Sequence, residues 1–165
     1  MKKFILAVVT GVMISSFLPV SQAIAATDEV LLLEVNALLI ENRGIAAKVA
    51  EKLGISVSMT LPSKSGSQAE INNVLFVRNQ HLFKQIATAL GVEVSVPTPI
   101  SGTIIDVNNK LVLGNRMITK AIMESLGLEI DAPLPMVGSK VEQNRDILLG
   151  NREAFKKIAK AVSAM

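Results

Sequence analysis

The chain has 165 residues, 17 basic and 14 acidic side chains, a formal net charge of +3, and no cysteine, tryptophan or tyrosine. Without cysteine there can be no disulfides, thiolate nucleophiles, lipidated cysteine or Cys-type zinc sites. Without Tyr and Trp, platforms for stacking sugars or nucleic-acid bases are not expected.

The chain opens with Met1, Lys2 and Lys3, continues through an apolar stretch over 4–20, and reaches Ala23-Ile24-Ala25. A basic start, a short apolar core and a small-residue exit form the pattern of a secretory signal peptide. Gly11, Ser15, Ser16 and Pro19 interrupt the stretch, which is shorter than the roughly 20 apolar residues of a spanning helix. The expectation is a cleaved signal over 1–26, a single domain over 27–165, and a periplasmic or secreted location with no transmembrane segment after cleavage. Losing Lys2 and Lys3 takes the net charge from +3 to +1. A general affinity for nucleic acid is therefore not expected.

Behind this leader the chain repeats. Asn42-Arg43, Asn79-Gln80, Asn115-Arg116 and Asn151-Arg152 recur at offsets of 37, 36 and 36 residues, and the same spacing carries Gly54 to Gly91 to Gly127. Four units follow, approximately 27–66, 67–102, 103–138 and 139–165. In the first, the helix is expected to begin at Thr27-Asp28-Glu29, where acids suit the amino end. In the next three, Ser67, Thr103 and Ser139 each stand three residues before an acid, Glu70, Asp106 and Glu142. That is the capping-box pattern, which makes the three hydroxyl residues structural caps.

A first helix, A, then runs through the apolar stretches 74–77, 111–113 and 147–149. Runs this short also suit buried strands, and the capping boxes favour helix. Gly114-Asn115 and Gly150-Asn151 read as corners, with glycine ending helix A and asparagine capping a second helix, B. On this reading Asn42, Asn79, Asn115 and Asn151 are all N-caps. Helix B shows helical apolar spacing at Leu82, Phe83, Ile86, Ala87 and Leu90. It ends in a Schellman turn at Gly54, Gly91 or Gly127, followed by an extended segment and a proline. The expected fold class is all-α: about four tandem helical hairpins of ~36 residues, joined by extended Pro/Gly linkers and stacked into a short solenoid or superhelix.

Few residues invite chemistry. The only histidine, His81, falls in the expected first turn of helix B, and its counterparts are Gly44, Met117 and Glu153. It reads as a partly exposed side chain rather than a ligand, since a zinc site would need companions. No phosphate loop or nucleophile elbow occurs; no catalytic residue, metal site or cofactor is expected. Asn72-Asn73 and Asn108-Asn109, with Asn36 and Asn144, are poor helix formers inside helix A. They read as an internal ladder bonding the neighbouring linker, or alternatively as a polar groove for a peptide or glycan. Arg43, Arg116 and Arg152 follow the expected caps, where a positive charge opposes the helix dipole. With Lys84, Lys120 and Lys156 they form a basic column that could hold a protein or anionic partner. The alternative is that the arginines pair with Glu41, Glu70, Asp106 or Glu142 and the lysines are solvated. The functional expectation is an exported non-enzymatic binding or scaffold protein. A self-assembling envelope protein is the alternative, and an enzyme with a cryptic site comes third.

Overall fold

A computed structural model of the chain describes residues 20–60, 62, 65–97, 101–130 and 136–165, with side chains from residue 28 onward. Most of the expected signal segment lies outside these residues. The described part is all-helical, with four helices: α1 (Val20–Lys52), α2 (Gln68–Ala89), α3 (Ile104–Ser125) and α4 (Lys140–Val162). Among the described residues no helix is long and apolar enough to cross a membrane.

Each unit thus holds one continuous helix, not a hairpin of two. Gly114-Asn115 and Gly150-Asn151 lie in the interiors of α3 and α4. Asn42, Asn79, Asn115 and Asn151 are consequently not N-caps. Neither asparagine bonds locally: Asn115 donates sideways to Phe76 O of α2, and Asn151 accepts from Arg116 of α3, so the backbone continues. Helix α1 likewise starts at Val20 rather than near Thr27.

The true helix starts are the capping boxes. Ser67, Thr103 and Ser139 each accept a bond from the N3 backbone N–H, and Glu70, Asp106 and Glu142 each accept one from the cap backbone N–H. The far ends close as Schellman turns. In α2 the Val92 N–H bonds Ala87 O at 2.8 Å and the Gly91 N–H bonds Thr88 O at 3.0 Å, with Gly91 at φ 72°. The pairs Ile55–Ala50 and Leu128–Met123 repeat the arrangement in α1 and α3.

Cross-helix bonds fix the relative direction of the helices. Asn72 of α2 reaches Leu32 of α1, and seven residues later Asn79 reaches Leu39. Asn108 and Asn115 of α3 reach Ala69 and Phe76 of α2 in the same sense. On α3 and α4, Asn109 meets Asn144 and Arg116 meets Asn151. Partners advance together along both chains, so all four helices run parallel. The segment 90–103 must then travel back along the bundle. At roughly 3.3 Å per residue it comfortably spans the ~33 Å of a 22-residue helix. Its described part enters the groove between the helices it joins: Val96 is buried against the Gly114 backbone of α3 and lies near Gln80 of α2.

Helix α1 packs on α2, α2 on α3, α3 on α4, and α4 on α1. The array is therefore a closed parallel four-helix ring, not an open solenoid. Inside it are two apolar clusters. One contains Leu39, Leu75, Phe76, Val112 and Leu148; the other contains Ala46, Phe83, Ile86, Ile122, Phe155 and Ile158. Phe83 of α2 and Phe155 of α4 meet across the ring with centroids 4.3 Å apart. At the same repeat position α1 and α3 contribute only Ala46 and Thr119, both fully buried. Two large and two small side chains share one level of the core.

The carboxyls of the capping boxes titrate below their ordinary range. Bonds from the Ser67 backbone and hydroxyl hold Glu70 down, and those from Ser139 do the same for Glu142. Asp106 is lowered by Lys140 first and Thr103 second. A depressed folded pKa gives stability that is complete above the unfolded values of 4.5 and 3.8 and is lost as pH falls through the lower folded values. Urea midpoints measured at pH 7 and pH 3 should show a smaller acid loss for the triple variant Glu70→Gln, Asp106→Asn, Glu142→Gln than for the native chain. Separately, Ser139→Ala should cost about 1 kcal/mol at pH 7 by removing a cap acceptor.

Candidate functional site: asparagine layers and inter-helix grooves

The polar residues of the interior are organised by one rule. An asparagine donates through Nδ2 to the carbonyl three residues before its counterpart on the preceding helix. Asn79 donates to Leu39 O at 3.0 Å, Asn115 to Phe76 O at 3.3 Å, and Asn42 closes the ring by donating to Leu148 O at 3.0 Å. All four asparagines of this layer are buried, but the fourth, Asn151, departs from the rule, since its Nδ2 has no partner. The layer lies between the two apolar clusters. Seven residues earlier a second layer repeats the pattern, with Asn72 donating to Leu32 O and Asn108 to Ala69 O. The ladder expected from the sequence thus exists, but its partners are neighbouring helices rather than linkers. Asparagines seven residues apart occupy equivalent seam positions, as in a coiled coil, where they set register.

The next position along the helix extends the rule by donating to the asparagine Oδ1 of the following helix, in the lower layer throughout and in the upper layer at two of four places. In the lower layer Asn36 donates to Asn72 at 2.8 Å, Asn73 to Asn108 at 2.8 Å, and Asn109 to Asn144 at 2.9 Å. In the upper layer arginine does this work, Arg43 to Asn79 and Arg116 to Asn151, both at 3.5 Å. Gln80 is shorter than arginine. Its Nε2 and the Asn115 Oδ1 it should reach are both buried without a partner. Arg152 turns outward instead, pairing with Glu41 at 3.4 Å and Glu153 at 3.0 Å, and Asn42 Oδ1 is left unpartnered.

This geometry corrects the basic column. The arginines are in helix interiors, so opposition to a helix dipole does not apply to them. Equivalent residues on four parallel helices also face four sides of a ring, and no single stripe results. Arg43 is buried and bonds Arg78 O at 3.2 Å and Ser58 O at 2.6 Å. Burial, followed by the nearby Arg78 charge, lowers its pKa. Bonds to Glu153 and Glu41 raise that of Arg152. Lys156 pairs with Glu153 at 2.9 Å, Lys120 is exposed, and Lys84 borders an open groove with Thr88 and the backbone of 91–95. Glu70, Asp106 and Glu142 serve the caps, and Glu41 meets Arg152. His81 is exposed in mid-helix rather than in a first turn.

A smaller concavity of about 490 Å³ is lined by Arg43, Ser58, Thr60, Val77, Arg78 and His81. Sequence reasoning missed Arg78, whose repeat counterparts Glu41, Gly114 and Gly150 hide its place opposite Arg43. Among the described residues no group of three His, Asp or Glu side chains is gathered for a metal ion. No protein-family model matches the chain, and comparisons with curated proteins and with solved structures found no match.

The broken contact at Gln80 makes a quantitative expectation. Gln80→Arg should supply the missing donor to Asn115 Oδ1 and raise stability by about 1 kcal/mol in urea unfolding. A variant no more stable than the native chain would show that the arginine-to-asparagine contact does not govern the upper layer.

Proposed function

We propose that the chain is an exported, non-enzymatic binding protein of the cell envelope or extracellular space, engaging a protein partner through the outer faces of α2 and α3. The observation that carries this reading is exposed apolar surface on adjacent helices. Val74 and Val77 of α2 and Leu113 and Met117 of α3 stand in solvent, while Ile40 and Leu149, the counterparts of Val77 and Leu113 on α1 and α4, are partly covered. Exposed apolar groups on two neighbouring helices offer interaction surface. Lys110 and Lys120 stand beside them on α3.

Export rests on the leader pattern, and the ring is compatible with it. Gln68, the first residue of α2, corresponds to Leu31 of α1. Residues 20–26 therefore precede the level at which the other helices begin, and cleavage after Ala25 leaves the packed ring intact. Retention of the envelope partner on immobilised native protein, with loss on Leu113→Glu, Met117→Glu, is the expected result of a paired pull-down. Equal retention by both proteins would sink the reading.

A second reading, self-assembly, is favoured by apolar exposure at the amino end of the ring, where Val30, Leu33 and Val137 are all more than half exposed. Light scattering at high concentration separates the two. A monomer is expected for the binding protein, and concentration-dependent growth abolished by Val30→Lys, Val137→Lys would favour assembly.

A further inference from the structure

The four inter-helix grooves are built from the same two positions, the residue after the upper asparagine on one helix and the residue before it on the next. Between α4 and α1 these are Arg152 and Glu41, and they form an ion pair at 3.4 Å. Between α2 and α3 they are Gln80 and Gly114, which lie so close that a Cβ on the glycine would stand 2.9 Å from the Gln80 amide nitrogen. Between α3 and α4 they are Arg116 and Gly150. Between α1 and α2 they are Arg43 and Arg78.

Two arginines thus occupy the places where a sister groove holds an arginine and its carboxylate. Their own hydrogen bonds do not balance the charge. Arg43 donates to Arg78 O, Ser58 O and the Asn79 amide oxygen, and Arg78 donates to Thr60 O at 2.7 Å. Every one of these acceptors is neutral. Among the described residues neither guanidinium has a carboxylate partner, although Arg43 is only 7 % exposed and its Nε makes no bond. A buried cation normally has a counter-charge, because removing it from water is costly otherwise. Here there is open space for one. The cavity of about 490 Å³ is bordered by both arginines, by His81 one turn beyond Arg78, and by the Ser58 and Thr60 hydroxyls, which bond each other at 3.1 Å.

We propose that the α1–α2 groove is a binding site for an oxyanion, a carboxylate or phosphate group, seated between Arg43 and Arg78 where the Glu41 carboxylate stands in the α4–α1 groove. Planar guanidinium donors suit both anions. The site adds an anionic ligand to the binding reading above; Val77 borders both, but the anion is held by Arg43 and Arg78 and the apolar face is tested at Leu113 and Met117, so the two can fail separately.

The test is an amide NMR titration of the purified protein with sodium phosphate and, separately, sodium acetate, each against sodium chloride at matched ionic strength. Saturable shifts confined to 58–60 and 77–81 are expected. Response to phosphate alone assigns a phosphate ligand; response to acetate as well assigns a carboxylate, such as an acidic side chain of a partner. Arg78→Glu should install the internal counter-charge, abolish the response and raise the Tm, while Leu113→Glu, Met117→Glu should leave the response unchanged. Absence of saturable shifts with either anion, or an undiminished response in Arg78→Glu, overturns the site. Loss of partner retention with the anion response preserved would bear only on the α2–α3 faces.

Discussion

The bond from an asparagine amide to a main-chain carbonyl on the preceding helix is the constraint on which the rest of this structure depends. A helix carbonyl already accepts one bond within its own helix and has a second lone pair to offer. An asparagine that takes it must lie at a defined height on its neighbour, and two asparagines seven residues apart must do so with both helices pointing the same way. Slipping a helix by one turn would strand buried amides, at a cost of about 1–3 kcal/mol each. Apolar packing alone tolerates such slips far better. The long return segments follow from this: helices joined in sequence but held parallel need connections that run the length of the bundle.

Once the direction is set, the linkers become part of the core's cover. Ile55, Val57, Val92, Val94, Leu128 and Ile130 pack against the larger apolar cluster, and Val96 is buried. The alternation seen in these segments is that of an extended chain with one face on the bundle. Helix, groove and returning strand-like segment together exclude water from the seam. This is how the fold is completed without disulfides.

Much of this was legible in the sequence, and the parts that were not share a physical cause. Ser67, Thr103, Ser139 and the glycines at 54, 91 and 127 act within a few residues of themselves, so their roles are visible locally. The asparagines act across a sequence distance of about one repeat, where the same residue type signals either a cap or a cross-link. Read locally, Gly114-Asn115 is a helix break. Only the neighbour's carbonyl makes it the middle of a helix. The ring closure was hidden for the same reason, since α1 and α4 are consecutive in space and furthest apart in sequence. Arg78 escaped notice because its partner position lies on a different helix and one repeat away, and because periodicity draws attention to residues that recur while this one does not.

The pairing of Phe83 with Phe155 over Ala46 and Thr119 also bears on what the elementary building block is. Four phenylalanines could not share that level, and four alanines would leave it hollow. Four copies of either residue would therefore overfill or empty this level, whereas two copies of a small–large pair fit. At this level the chain tiles its ring with a tandem pair used twice, whereas three residues further on Val49, Ile86, Ile122 and Ile158 keep the fourfold rhythm in the core.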